Sequence, residues 1–159
     1  MELTRRTMLA ATVATVAVAC DRHPTAEQTS AAPAAQRLGP MLEPAELVKH
    51  LDDVKAGRIV VLHVGPSVLF QHAHVPDARA LGEAGTDAGY RALVKAIAET
   101  PKDKQLVVYC GCCPYRNCPN VHPANKALHA SGRKNFKLLD LPTNFRTDWE
   151  KKGYPVERS

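Results

Sequence analysis

Four cysteines fall within nine positions of a 159-residue chain, at Cys110, Cys112, Cys113 and Cys118, with Arg116 among them. A cysteine thiolate is a nucleophile, a redox centre and a soft metal ligand, and its surroundings decide between these uses. Cys110 and Cys113 have the Cys-x-x-Cys spacing of a redox pair. Cys112, Cys113 or Cys118 could attack a persulfide or sulfenate on Cys110 and resolve it as a disulfide. A structural Cys113–Cys118 disulfide is the plainer use of the same residues. Adjacent Cys112 and Cys113 would strain the peptide between them if they were bridged to each other. Arg116 is the one basic side chain between Cys110 and Cys118.

The flanking residues say how the loop is held. Leu106-Val107-Val108-Tyr109 is an apolar run with β-branched and aromatic residues, which reads as a buried strand, and the Gly, Pro and Asn that follow stop it. Beyond the loop, Asn120 is placed to cap a helix running through Ala124, Ala127 and Leu128 to Gly132. A loop between a strand end and a helix N-terminus brings sulfur close to free N–H groups and to the positive end of the helix dipole, which favours the thiolate. Cys110 directly follows the strand, so its sulfur is expected at the base of that cradle, with Cys112, Cys113 and Cys118 on the loop rim.

The other elements alternate in type. Glu43-Pro44-Ala45-Glu46 opens a helix whose stripe is Leu47, Val48, Leu51 and Val54, ended by Gly57. Arg58 to Gly65 is a continuous apolar strand, as expected for a parallel strand covered on both faces. Residues 67–86 read as irregular, with a short strand at Ala78 to Leu81. Ala88 to Glu99 is a second helix, Phe136 to Leu141 another strand, and Thr143 to Lys152 a short helix holding Trp149 and stopped by Gly153. Strands alternating with helices imply an α/β domain, with a mainly parallel sheet and helices on both faces. The histidines at strand ends, His63 and His74, with His72 or His122, are placed to approach the cysteines. Thiolate with imidazole suits zinc or cuprous copper, although the spacing fits no zinc-finger pattern.

The N-terminus carries an address. Thr4-Arg5-Arg6-Thr7-Met8-Leu9 resembles a twin-arginine export signal, and the apolar run from Met8 to Ala19 falls short of the about 20 residues needed to span a bilayer. Ala17-Val18-Ala19-Cys20 resembles a lipoprotein processing site, with plain cleavage near Ala19 as the alternative. Residues 1–20 are therefore expected to be an export signal, 21–38 a flexible tether rich in Ala, Thr, Gln, Ser and Pro, and 39–159 the folded domain. The expected location is the periplasm or cell envelope, with a lipid on Cys20 as membrane anchor. The net charge of +5 falls to +4 without residues 1–19, and the chain has 5% aromatic content and no basic run. This argues against nucleic-acid binding while leaving room to steer a small anion.

Residues 40–157 resemble a rhodanese-like domain. Val61-Leu62-His63-Val64-Gly65-Pro66, Phe70 and Ala73-His74-Val75-Pro76-Asp77-Ala78 are similar to that family's first strand and the segment after it. Val107-Val108-Tyr109-Cys110 is similar to the strand that leads to its active-site cysteine, and Trp149 to Val156 to its C-terminal Trp and Gly-Tyr-Pro ending. The resemblance implies a three-layer α/β fold and a sulfurtransferase without cofactor. Cys110 would take sulfane sulfur from a small anionic donor, thiosulfate or a persulfide, and pass it as a persulfide to a thiol acceptor. The chain departs from the family pattern at three points. Arg116, which the resemblance implies would hold the anionic donor by charge-assisted hydrogen bonds, lies six residues after Cys110 instead of five, and the Asp and Arg of the first strand are His63 and Gly65. The departures keep a second reading open: an inactive rhodanese scaffold carrying a thiol-redox or a zinc or copper site, with His63, His74, Cys113 and Cys118 as candidate ligands.

Overall fold

The computed structural model of the protein describes residues 38–159. The expected export signal, Cys20 and all of the expected tether except Leu38 lie outside the described residues. Among the described residues no helix is long and apolar enough to cross a membrane.

Five strands, β1 (Met41–Leu42), β2 (Ile59–His63), β3 (Arg79–Ala80), β4 (Gln105–Tyr109) and β5 (Phe136–Leu139), form one sheet in the order β1-β5-β4-β2-β3. Every pairing is parallel. The helices are α1 (Pro44–Lys49), α2 (Leu51–Lys55), α3 (Ser67–His72), α4 (Asp87–Glu99), α5 (Val121–Ala130) and α6 (Phe145–Asp148). Side chains alternate across a strand, and β4 shows the result. Leu106, Val108 and Cys110 pack with Leu93, Ile97 and Leu128 on the face covered by α4 and α5. Val107 and Tyr109 pack with Leu47, Phe145 and Trp149 on the other. Both faces are covered, which is why the central strands are apolar without interruption.

Four details differ from the sequence expectation. The first helix is two, broken at His50, whose N–H bonds the Leu47 carbonyl and whose carbonyl receives the N–H groups of Asp53 and Val54. Residues 67–72, expected to be irregular, form α3. It buries none of its residues, so its sequence carries no apolar stripe to reveal it. The strand expected over 136–141 stops at Leu139, and the two-residue β1 beside it is too short to show a period. The last helix ends at Asp148, because the fully buried Trp149 leaves helical geometry (φ −124°, ψ −67°) to donate its indole N–H to the Pro155 carbonyl at 2.7 Å.

The end of β4 is fastened to its neighbours. The Tyr109 carbonyl accepts from Val64 N–H at 2.9 Å, and its hydroxyl oxygen accepts from the fully buried Val75 N–H at 3.1 Å. Tyr109→Phe should therefore leave a buried N–H without a partner, and urea unfolding should show a loss of about 1–3 kcal/mol. An unchanged midpoint would show that this bond contributes nothing to the strand's position.

Candidate active site

The chain leaves β4 at Cys110 and turns at once. Gly111 has φ 78°, and a Cβ there would lie 2.8 Å from the Cβ of Phe145, so both conformation and space require glycine. The Gly111 carbonyl accepts from Phe145 N–H at 3.0 Å, which brings the start of α6 over the loop. A 3-10 turn at Tyr115–Asn117 then folds the chain back, with Cys118 N–H bonded to the Tyr115 carbonyl, and α5 begins at Val121.

This return path gathers the sulfurs. Cys112 Sγ lies 3.2 Å from Cys110 Sγ, 3.7 Å from Cys118 Sγ and 3.0 Å from Cys113 Sγ. The sulfurs of Cys110, Cys112 and Cys118 are all within 4.8 Å of one another. None of the four is bridged; Cys110 and Cys118 are buried, Cys112 and Cys113 half-buried. Cys118 was expected on the rim. It is instead fully enclosed, because the turn delivers it into the core between α5 and the sheet.

The helix N-terminus also serves a different sulfur from the one expected. Asn120 makes no side-chain cap. Its amide oxygen accepts from Gly85 N–H at 2.9 Å, and its amide nitrogen donates to Cys110 Sγ at 3.4 Å. The backbone N–H groups of Asn120 and Val121 face Cys118. Cys118 is held down to about 5, first by the hydrogen bond from the Cys110 thiol and then, against its burial, by those N–H groups. Cys110 is pushed up, by the proton it donates to Cys118 and by burial, opposed by Cys112 N–H and the Asn120 amide. Cys113 is pushed up to about 12, first by desolvation and then by Cys112 and Cys118.

Both residues that depart from the family's charged pair are accounted for locally. The buried ring of His63 donates its Nε2–H to the Cys110 carbonyl at 2.7 Å and stands edge-on to Tyr109. Burial lowers it to about 4, so it is neutral. A Cβ on Gly65 would lie 2.8 Å from both the sulfur and the carbonyl oxygen of Cys110, which excludes an arginine or any other side chain. His74 donates Nδ1–H to the Phe70 carbonyl at 2.7 Å, stacks on the Phe70 ring at 3.7 Å and turns Nε2 towards Glu157. Of the expected metal ligands only Cys118 belongs to the group that comes together. His63 and His74 turn a ring nitrogen to backbone carbonyls and Cys113 lies beside Cys112 and Cys118 but outside the group, whereas Cys110, Cys112 and Cys118 converge.

A cavity of about 310 Å³ reaches Cys110 and Cys112 from the side of α3 and α6, with His72, Asn144, Arg146 and Glu150 among the residues around it. Arg116 does not line it. It is exposed, and its carbonyl accepts from His122 at 2.6 Å. Arg146 is the basic residue the sequence reading missed; it lies 36 positions after Cys110, and nothing in the loop pattern pointed to it. A larger, mainly apolar groove of about 560 Å³ between α4 and α5 is lined by no cysteine, so size does not mark the site here.

No protein-family profile and no curated protein sequence matches the chain. Solved structures do. The BH2092 protein from Bacillus halodurans is similar at 21% identity over 75% of this chain and 77% of that one, with a TM-score of 0.53. The rhodanese-like domain of the Alr3790 protein from Anabaena sp. is similar at 17% identity over 77% and 81%, also with a TM-score of 0.53. Wild-type EanB shares 14% identity over 75% of this chain and 27% of its own, with a TM-score of 0.52. At these identities the likeness is one of fold, and the fold is rhodanese-like.

The neutral state of His63 has a measurable consequence. The folded value near 4 lies below the about 6.5 of a free imidazole, so the unfolded chain binds the proton first and stability falls as pH drops through this window. Between about pH 7.5 and about pH 5 this ring alone should cost about 2 kcal/mol. The slope of urea stability against pH should flatten in His63→Asn, and an equally steep variant would assign the pH dependence to other groups.

Proposed function

We propose that the protein is a sulfurtransferase that carries sulfane sulfur as a persulfide on Cys110. The observation that carries this reading is the setting of the Cys110 sulfur. Cys110 directly follows β4 and lines a cavity, its Sγ donating to Cys112 Sγ at 3.2 Å and accepting from the Asn120 amide at 3.4 Å, with Cys118 Sγ within 4.8 Å. A thiol becomes a nucleophile as it gives up its proton, and Cys110 Sγ attacks the outer sulfur of thiosulfate. The S–S bond of the donor breaks, sulfite leaves with the bonding electron pair and the thiol proton as hydrogensulfite, and Cys110 is left as a persulfide anion with its inner sulfur beside the Asn120 amide. A thiolate acceptor then attacks the terminal sulfur and Cys110 departs as thiolate, which takes up a proton from water.

Arg146 is the basic side chain beside this path and is assigned to hold the anionic donor, the role expected of Arg116. The thiol-redox reading has its own support in the 3.2 Å separation of Cys110 and Cys112. Attack of Cys112 on the inner sulfur of the persulfide would release hydrosulfide and leave a Cys110–Cys112 disulfide. The exported, lipid-anchored location belongs to the proposal through Arg5-Arg6, the short apolar run and Cys20.

Single-turnover loading with thiosulfate, followed by intact mass, tests the reading. The wild type should gain one sulfur and folded Cys110→Ser none. Arg146→Ala should raise the donor concentration for half-maximal loading about tenfold, as expected for one lost charged hydrogen bond, and Arg116→Ala should leave it unchanged. Loading of folded Cys110→Ser at the wild-type rate would remove Cys110 from the mechanism. Loss of two hydrogens in place of a gained sulfur would favour the redox reading. For location, Cys20→Ala should move the protein from the membrane fraction to the soluble one, and its retention in membranes would argue against a lipid anchor.

A further inference from the structure

Sulfur transfer through Cys110 needs one nucleophilic sulfur, yet three sulfurs converge. We propose that Cys110, Cys112 and Cys118 together form a three-thiolate site for a soft monovalent ion, Cu(I). Metal–thiolate bonds of about 2.3 Å place three donors around one ion roughly 4 Å apart in a plane. The separations of 3.2 and 3.7 Å, and the bound of 4.8 Å on the third, bracket that triangle. An ion at its centre needs only small side-chain movements.

The donor set selects the ion. All three ligands are sulfur, and no imidazole or carboxylate joins them among the described residues. Structural zinc sites are four-coordinate and tetrahedral. Here the nearest further donors stand outside the group: His63 turns Nε2 to the Cys110 carbonyl, His74 turns Nδ1 to the Phe70 carbonyl, and Cys113, beside Cys112 and Cys118, does not join the three sulfurs that all lie within 4.8 Å of one another. Three soft donors without a fourth match cuprous copper better than zinc. The half-buried Cys112 gives the entry point and the enclosed Cys110 and Cys118 the interior of the site. Three thiolates around one Cu(I) leave excess negative charge. It faces the Asn120 amide on Cys110 and the Asn120 and Val121 N–H groups on Cys118, which act as the outer hydrogen-bonding shell that thiolate sites require. A bound ion occupies Cys110, so the metal-loaded protein cannot accept sulfur; the two uses of the loop exclude each other.

The test uses the full chain, reduced and anaerobic, titrated with Cu(I) against a chromogenic cuprous chelator. One ion per chain is expected, and X-ray absorption at the copper edge should show three sulfur neighbours and no nitrogen. Cys112→Ser, which changes the most accessible ligand and disturbs the core least, should weaken binding roughly 100-fold or more. Cys110→Ser and Cys118→Ser, checked for folding by circular dichroism, should do the same, and Cys113→Ser should bind as the wild type does. A site that keeps zinc against an equal amount of Cu(I), a nitrogen in the copper shell, or Cys113→Ser as weak as Cys112→Ser would each overturn the proposal. So would failure of the wild type to compete with the chelator. Thiosulfate loading of the metal-free protein is measured separately, so a failed copper site and a failed sulfurtransferase give different results.

Discussion

The carbonyl of Cys110 lies just past the last residue of β4, buried, where the strand's hydrogen-bond ladder no longer supplies a donor. A buried carbonyl without a partner is costly, and the donor here is the ring of His63. That bond requires a neutral imidazole in the core and fixes the peptide from which the loop departs. With the carbonyl turned towards β2, the sulfur faces α5. Gly111 can then take its left-handed turn beneath Phe145, and the chain beyond is free to bring Cys112 and Cys118 back to Cys110.

The result is a site organised by hydrogen bonds to sulfur. Where the resemblance led one to expect an acid and a base on the first strand, there is a neutral ring and a glycine. The backbone N–H groups at the start of α5 face Cys118, and the side-chain amide of Asn120 donates to Cys110. The helix terminus therefore serves one sulfur and the amide another. The thiolate expected at Cys110 is not favoured there, because its contact with Cys118 and its burial push that thiol up.

The central strands and the longer helices were legible because their β-branched runs and helical stripes are local. The parts that escaped were decided by partners distant in sequence. Asn120 looks like a cap to any rule that sees only its helix; Gly85, 35 positions upstream, and Cys110 claim its side chain instead. Cys118 looks like a rim residue until the turn through Tyr115 sends it inward. Arg116 sits in the loop by number, yet the Gly111–Phe145 bond brings Arg146 to the cavity in its place. Conversely, α3 hides because an exposed helix needs no pattern. The four-cysteine loop, its placement after the central strand and the overall α/β architecture were all readable, while the way the loop closes on itself was not.

Gly65 sets a direction. Its backbone lies so near the Cys110 sulfur that even a methyl group would collide, and His63 and Asn120 occupy the neighbouring sides. The cavity lined by Cys110 opens towards Phe145 and Arg146. In the sulfur transfer proposed for Cys110, donor and acceptor share that doorway. The emptied donor must leave before the acceptor can reach the terminal sulfur, so a transferase built this way works in two half-reactions with ping-pong kinetics and holds its cargo alone in between.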